Sequence, residues 1–125
     1  MLNEMDATAM LAVKDLTTAR AFYEGTLGFV ADAADQDGMV NYRSGQTPIM
    51  VYESAYAGTN QANALAWSVG ADFDTIFKEL TTKGVTFEHY DMPEVKREGD
   101  VHVAGPMRMA WFKDPDGNIL SIAGD

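Results

Sequence analysis

A strand–turn–strand pattern near the end of the chain restricts its possible folds more than any other feature. Residues 114–118 read Asp-Pro-Asp-Gly-Asn, and apolar runs lie on both sides of them, at residues 111–112 and 119–122. Proline presets the backbone of the second turn position, aspartate suits the turn flanks, and Gly117 tolerates a positive φ. The apolar runs are typical of half-buried strands. The pattern therefore predicts two strands joined by a short turn.

The chain also repeats itself, with one predicted helix in each half. The first helix begins near Asp15 and ends at Gly28, and the second begins near Asp72 and ends at Gly84. Each segment has apolar residues at helical spacing, an aspartate at or near the N-cap and a glycine just past the C-terminus. The two halves are therefore expected to share one local structure.

Strand-like runs surround both predicted helices. One run precedes each helix, at residues 8–13 and 64–69; three runs follow, at residues 29–34, 39–43 and 47–53 in the first half and at residues 85–90, 107–112 and 118–123 in the second. The order is βαβββ twice, with residues 56–63 as the connector. Because each unit has a helix on only one sheet face, the other face must be covered or must form a cavity. We predict a single domain over residues 1–125, with modules at about 6–54 and 63–124.

These segments resemble a known family. Residues 15–16, 21–23, 27–29 and 114–118 are similar to the signature positions of the vicinal oxygen chelate superfamily, which holds glyoxalases, ring-cleaving dioxygenases and bleomycin-resistance proteins. The resemblance covers nearly the whole chain. It implies the α+β glyoxalase/bleomycin-resistance fold, in which two βαβββ modules form a curved mixed sheet around a pocket.

The resemblance also implies four places for metal ligands, on the first and last strands of each module. Metal-dependent relatives carry histidine or a carboxylate there, because divalent ions in such sites need those donors. This chain has Thr8, Ala64 and Ser121 at three of the places and about Met50 at the fourth. We therefore predict no metal and no cofactor.

The two histidines lie at other places in the sequence. His89 and Asp91 have strand spacing and could form a surface metal pair, although such a pair is more often a solvated strand edge. His102 lies in a charged stretch, residues 90–102, that we predict to be a long loop. Loops of this length are often lids or binding loops, and a tolerated insertion is the alternative.

The resemblance implies that the ligand places face the pocket and that the residue at Phe112 is buried, and strand alternation from these positions gives the other side chains of the predicted pocket face. They are small residues, methionines, hydroxyl groups and aromatic rings: Thr8, Met10, Met50, Tyr52, Ala64, Ala66, Ser68, Met107, Met109, Trp111 and Ser121. Methionine adapts to irregular apolar shapes, and tryptophan offers a flat face to an aromatic or cationic ligand. The set predicts a ligand-binding cavity, unless the methionines only fill a core or a dimer interface.

The sequence assigns no catalytic residue. It contains no nucleophile elbow, phosphate-binding loop or dinucleotide fingerprint. The side chains most suited to carry protons, if the protein is an enzyme, are Tyr52, Glu53, Tyr90, Asp91 and His102. Their convergence does not follow from the sequence.

Charge and composition restrict the partners. The formal net charge is −10, which argues against nucleic acid or an anionic membrane as a partner and favours a cationic ligand, unless the acidity only keeps the protein soluble. The absence of cysteine excludes disulfides and thiolate metal sites. Without a long apolar run or a signal sequence, a cytoplasmic protein is expected.

Three functions are consistent with the sequence. The first is a small-molecule binding protein that resembles bleomycin-resistance proteins and lacks the family metal ligands. The second is a glyoxalase-like lyase or isomerase, or a dioxygenase-related enzyme, that uses non-standard residues. The third is an accessory dimer with a vestigial pocket. In each case a homodimer is expected, because relatives of this size are usually dimeric.

Overall fold

The computed structural model describes residues 1–32 and 37–125, which form two α-helices and nine β-strands. In chain order these are β1 (Ala9–Val13), α1 (Leu16–Arg20), β2 (Met39–Ser44), β3 (Thr47–Glu53), β4 (Asn63–Gly70), α2 (Phe73–Thr82), β5 (Phe87–Glu88), β6 (Lys96–Glu98), β7 (Val101–Ala104), β8 (Met107–Lys113) and β9 (Ile119–Gly124). A π-helical turn over Ala21–Thr26 continues α1, and a 3₁₀ turn covers Leu2–Glu4. None of the helices in these residues has the length and apolarity to cross a membrane.

The strands form two mixed sheets in two compact units. The first unit contains Met1–Asn60 and Pro115–Asn118, and the second contains Gln61–Asp114 and Ile119–Asp125. The smaller sheet has the order β1-β3-β2, with β1 parallel and β2 antiparallel to β3. The larger sheet has the order β4-β9-β8-β7-β6, and β5 also pairs with β8. In the larger sheet β4 and β9 are parallel and the other pairs are antiparallel. The fold is α+β, as predicted.

The core of the first unit lies between the smaller sheet and its helix. Leu11 and Val51 are cross-strand neighbours, and both are buried. Ala19 and Tyr23, four positions apart on the helical segment, are fully buried as well. The ring of Tyr23 lies 6.3 Å from the ring of Tyr42 on β2. The helix is therefore attached to the sheet by one apolar face.

The two helical segments, α1 with its π-helical continuation and α2, begin and end near the residues that the sequence predicts. Asp15 is the N-cap of α1, and its carboxylate accepts hydrogen bonds from the N–H of Thr18 at 3.0 Å and from its hydroxyl at 2.7 Å. Asp72 is the N-cap of α2 but makes no side-chain cap hydrogen bond with any described residue. Gly28 and Gly84 follow the two helical segments with φ values of +79° and +87°, which cost glycine little.

The predicted C-terminal turn is present, and it is anchored to β1. Gly117 has a φ of +92°. The amide of Asn118 donates to the carbonyl of Ala12 at 2.8 Å, and the carboxylate of Asp116 accepts the N–H of Lys14 at 3.1 Å. The turn thus belongs to the first unit, although the two strands that it joins belong to the second.

Phenylalanine rings form the core of the second unit. The ring centroids of Phe73 and Phe77 on α2 are 6.0 Å apart, and Phe77 is stacked on Phe87 at 4.6 Å. Phe87 is in turn 6.0 Å from Phe112 on β8. Phe112 and its alternate neighbour Ala110 are both buried. Phe112 and Ala110 therefore face the core.

Three predicted segments differ from the structure. The strand predicted over residues 29–34 is represented by an isolated bridge between Ala31 and Tyr42, and residues 33–34 lie outside the described residues. The strand predicted over residues 85–90 is reduced to β5, because β8 also pairs with β7 along its earlier residues. The loop predicted over residues 90–102 contains β6 and the beginning of β7. The last two differences both result from a hairpin, β6–β7, that extends the larger sheet.

Candidate functional site

The candidate site lies on the side of the larger sheet that faces away from α2, here called the far face. On β8 and β9 the residues Ala110, Phe112, Leu120 and Ile122 are buried on the α2 side. Alternation places their neighbours on the far face. The residues there include Ala66, Ser68, His102, Met109, Trp111 and Ser121.

The rows of cross-strand neighbours determine which of these side chains are adjacent. Trp111 lies opposite Ser121, and Ser121 lies opposite Ala66 on the parallel strand β4. In the next row, Met109 lies between His102 and Ala123. Directly opposed side chains on one face are close enough to contact each other. The far face therefore combines small side chains, a flexible thioether and an indole.

Three rings form a compact group that we call the Trp111 cluster, made of Tyr90, His102 and Trp111. The centroids of His102 and Trp111 are 4.8 Å apart with an interplanar angle of 86°. Tyr90 and Trp111 are 5.5 Å apart at 85°, and Tyr90 and His102 are 6.3 Å apart at 32°. Edge-to-face packing of this kind is favourable for aromatic rings. In this cluster each ring is a neighbour of the other two, and the indole of Trp111 packs against both Tyr90 and His102.

His102 is fully buried, and one of its nitrogens has a defined role. Nε2 accepts a hydrogen bond from the backbone N–H of Tyr90 at 3.0 Å. Nδ1 is buried and has no hydrogen-bond partner among the residues that the structure describes. Buried polar atoms without a partner are rare in proteins. This nitrogen is the chemically distinctive atom of the site.

A second histidine contact lies close to the cluster in the chain. Nε2 of His89 is 2.6 Å from a carboxylate oxygen of Asp100, in the turn between β6 and β7. Together with the bond between Tyr90 and His102, this contact ties residues 89–90 to the added hairpin at two points. The position of Tyr90 is therefore fixed through its backbone.

The structure brings most of the predicted second-unit residues together. Ala66, Ser68, Met109, Trp111 and Ser121 share the far face, in the rows described above. Met107 is on the same side of β8 but at its beginning, opposite Ala104, and it is half exposed. Ala64 lies at an irregularity in the pairing of β4 with β9. Ligand binding by these residues stays a prediction.

The predicted first-unit residues form a separate group. Met10 of β1 and Met50 of β3 are cross-strand neighbours, and Tyr52 lies opposite Ala12. All four are on the sheet side opposite the buried positions of β1 and β3. Thr8 precedes β1 and is exposed. Here too, alternation separates a core side from a less buried side.

Two of the proton carriers considered from the sequence lie together in the second unit. Tyr90 and His102 are neighbours in the Trp111 cluster, and Asp91 is the exposed residue that follows Tyr90. Tyr52 and Glu53 belong to the first unit, where Glu53 lines an open depression of about 420 Å³. Its other lining residues are Lys14, Ser54 and Ala55. Only Tyr90 and His102 are part of the candidate site.

The donor set does not fit a divalent metal. Thr8, Ala64 and Ser121, and about Met50, at which the resemblance predicts the family ligands, offer no imidazole or carboxylate. Within residues 1–32 and 37–125, no three histidine or acidic side chains are grouped so that they could hold an ion. His89, considered with Asp91 as a surface metal pair, instead contacts Asp100.

Sequence reasoning missed Tyr90 and His102 as parts of one site, because it assigned residues 90–102 to a loop. A signal was present: His102 lies between Val101 and Val103, and glycines stand at positions 99 and 105. β-branched residues between two glycine turns are typical of a short strand. Such a strand has His102 on one face and the two valines on the other.

Comparison with known proteins identifies the family. The model of the glyoxalase/bleomycin resistance protein/dioxygenase superfamily matches residues 6–122, so the chain belongs to this superfamily. No curated protein sequence matches the chain.

Solved structures share the fold at low identity. A glyoxalase/bleomycin resistance protein/dioxygenase from Alicyclobacillus acidocaldarius has 16% identity and a TM-score of 0.71, over 95% of this chain and 89% of that one. A fosfomycin resistance protein from Listeria monocytogenes has 17% identity and a TM-score of 0.66, over 95% and 89%. An integron cassette protein from the mobile metagenome of a Halifax Harbour sewage outfall has 19% identity and a TM-score of 0.69, over 96% of this chain and 97% of that one. Their activities do not transfer at this identity.

Proposed function

We propose that the protein is a small-molecule binding protein of the bleomycin-resistance type that works without a metal. The observation that carries the proposal is the Trp111 cluster on the far face of the larger sheet. An indole packed against two other rings, beside Met109 and small side chains, is suited to receive a flat ligand. The ligand class is planar organic molecules.

Charge favours a cationic member of this class. The chain carries a formal net charge of −10, which attracts cations to its surface over long range. A cation placed over the face of an indole gains roughly 0.5–2 kcal/mol, depending on how far it is desolvated. A planar aromatic cation would gain from both the long-range attraction and the contact with the indole face.

The proposal includes a homodimer. The strands β4 and β6 are at the edges of the larger sheet, and an edge strand can pair with a second chain. Large apolar side chains are also exposed, including Met10 at 53%, Val30 at 77% and Tyr56 at 81%. A second copy of the chain would remove such side chains from water, which favours association. Light scattering at micromolar concentration is expected to give twice the chain mass, and a monomer mass would remove this part of the proposal.

Metal analysis tests the part of the proposal that says the protein works without a metal. Protein purified without chelator is expected to contain no stoichiometric divalent ion, because Thr8, Ala64 and Ser121 lack suitable donors. Elemental analysis measures this directly. About one tightly held ion per chain, lost when His102 or Glu53 is replaced, would contradict it.

A fluorescence screen with planar cations and planar neutral aromatics tests the binding function. In the Trp67→Phe variant, Trp111 is the remaining indole, and binders are expected to change its emission. The matched Trp111→Phe variant keeps Trp67, whose strand neighbour Ile122 is buried on the α2 side, so its emission should change little. Trp111→Ala should weaken binding by several-fold to tens-fold. Binders that act on Trp67 alone would place the site elsewhere, and no binders at all would favour an accessory dimer.

The contact between Tyr90 and His102 supports a second candidate, a metal-independent lyase or isomerase. These are the two proton-carrying side chains that converge in the site. Histidine and tyrosine are both used as general acids and bases. Assays would use fosfomycin with nucleophiles, because a structural neighbour is a fosfomycin resistance protein, and the hemithioacetal of methylglyoxal for glyoxalase activity. Turnover of either substrate by the wild type that is lost in Tyr90→Phe would favour the enzyme over the binding protein.

A further inference from the structure

We infer that His102 selects the ligand by donating a hydrogen bond from Nδ1, so that the preferred ligands are planar aromatic molecules with a carbonyl oxygen at the ring edge. The inference rests on the proposed binding function, because it concerns the same site. It adds a specificity to the site that stacking on Trp111 does not provide, since stacking accepts any flat ring.

The hydrogen bond from Tyr90 fixes the tautomer of His102. Nε2 accepts the backbone N–H of Tyr90 at 3.0 Å, so Nε2 carries a lone pair and no proton. A neutral imidazole has one proton, which must then be on Nδ1. His102 therefore presents an N–H donor at Nδ1. This assignment follows from the partner of the ring and not from the position of any hydrogen.

The donor is buried without an acceptor. His102 is 0% exposed, and Nδ1 has no hydrogen-bond partner among the described residues. A buried donor that lacks a partner has lost its hydrogen bond to water and gained none in return, which is unfavourable. Its neighbours in the cluster are the rings of Trp111 and Tyr90. A ligand oxygen that accepts this hydrogen removes the penalty, whereas a ligand without an acceptor leaves it in place.

A ligand can reach Nδ1 without loss of the tautomer. The bond that fixes His102 uses the backbone of Tyr90, so rotation of the Tyr90 side chain leaves the bond intact. Tyr90 precedes β6 and lies outside the regular strands. The cross-strand neighbour of His102 on β8 is Met109, whose unbranched side chain adapts to a new neighbour. Binding thus requires side-chain movement at Tyr90 or Met109 and no change in the sheet.

Two aromatic probes of similar size test the selectivity. Coumarin has a carbonyl oxygen at its edge, and naphthalene has no acceptor. Binding is followed by NMR through the indole N–H signal of Trp111, with the signal of Trp67 as an internal control. In the wild type, coumarin is expected to bind roughly threefold to tenfold more tightly than naphthalene, which is the usual range for one neutral hydrogen bond.

Two matched variants separate the nitrogens of the ring. The amide nitrogen of asparagine can take the place of Nδ1, so His102→Asn keeps a donor toward the ligand and loses the acceptor for Tyr90. The amide oxygen of glutamine can take the place of Nε2, so His102→Gln keeps the bond to Tyr90 and loses the donor. His102→Asn should retain the preference for coumarin, and His102→Gln should lose it. Thermal unfolding confirms that each variant is folded.

The wild-type protein provides a measurement that does not depend on the variants. Ring ¹⁵N chemical shifts should show that the proton of His102 is on Nδ1 and that its N–H proton shifts downfield when coumarin is added. A proton on Nε2, or equal binding of the two probes that is unchanged in His102→Gln, overturns the inference and leaves the binding function standing. If neither probe perturbs Trp111, the binding function for planar aromatics fails, and the inference fails with it.

Discussion

The two units attach a helix to a sheet by different means. In the first unit, the carboxylate of Glu24 accepts hydrogen bonds from Arg20 on the same helix, at 2.6 Å, and from the hydroxyl of Tyr42 on β2, at 2.7 Å. In the second unit, the stack of Phe77 on Phe87 connects the helix to the sheet, and Arg108 of β8 adds an ion pair with the exposed carboxylate of Asp74 on α2. The repeat therefore preserves the order of the elements and not the chemistry that joins them.

The opposite faces of the two sheets differ as well. The smaller sheet presents methionines and Tyr52 on three strands. The larger sheet is extended by the hairpin β6–β7, and this hairpin supplies His102 to the Trp111 cluster. The hairpin thus gives the candidate site a buried imidazole beside the hydroxyl groups of the other strands. Function in such a fold depends on what is added to the repeat.

The largest effect is expected from a comparison of the two faces of β8. Phe112→Ala should lower the free energy of unfolding by about 3–5 kcal/mol, because it leaves a cavity among buried rings. Trp111→Ala should cost about 1 kcal/mol, because the indole is only half buried. Urea unfolding of both variants measures the difference. Equal losses would show that the far face is packed like a core and is unsuited to a ligand.

A smaller effect is expected at the polar attachment of the first unit. Tyr42→Phe removes the buried hydroxyl that donates to Glu24 and should cost about 1–2 kcal/mol at neutral pH. Tyr56→Phe is the matched control, because that ring is 81% exposed, and it should be neutral. Loss of stability in both variants would mean that the bond to Glu24 is not the cause.

The pH dependence of this loss has a defined sign. Hydrogen bonds from Arg20 and then Tyr42 hold the pKa of Glu24 below its ordinary value of 4.5. A lowered pKa in the folded state contributes stability above the unfolded pKa, and the contribution disappears as the pH falls through the folded pKa. The difference between wild type and Tyr42→Phe should therefore be constant near neutral pH and shrink in acid below about 4.5. A difference that grows in acid would contradict this account.

Sequence patterns predicted the helices, the faces of the strands and the C-terminal turn, because each depends on nearby residues. The side of β8 predicted for Trp111 followed from alternation with Phe112, a position that the family it resembles tends to bury. The hairpin was missed because β6 is a charged and fully exposed edge strand, which has the composition of a loop. Gly99 and Gly105, both with positive φ at the first position of a two-residue turn, are what such hairpins require.

The contact between His102 and Tyr90 could not be predicted, because it depends on how β5 and β7 share one side of β8. β7 pairs with the first part of β8, up to Met109, and β5 pairs with the last part, from Trp111. The chain between them must then return across the sheet, which places Tyr90 beside His102. Only the register of three strands together determines this contact.

The smallest expected effect concerns the N-caps, where the two units also differ. Asp15 accepts two hydrogen bonds from Thr18, whereas the side chain of Asp72 caps no described residue. Asp15→Ala should lower the melting temperature measurably, and Asp72→Ala should change it less. Asp15→Asn is the matched control and should retain most of the stability, because the amide oxygen still accepts from Thr18.

The N-cap difference should also depend on pH. The hydrogen bonds from the side chain and backbone of Thr18 lower the pKa of Asp15. The contribution of its charge is therefore complete above the ordinary pKa of 3.8 and disappears as the pH falls through the lower folded value. The difference in melting temperature between wild type and Asp15→Ala should thus narrow in strong acid. Both units have a charged aspartate at a helix N-terminus, and this charge alone stabilises a helix. If Asp15→Ala and Asp72→Ala lowered the melting temperature equally at neutral pH, the hydrogen bonds of Asp15 would add nothing to the effect of the charge.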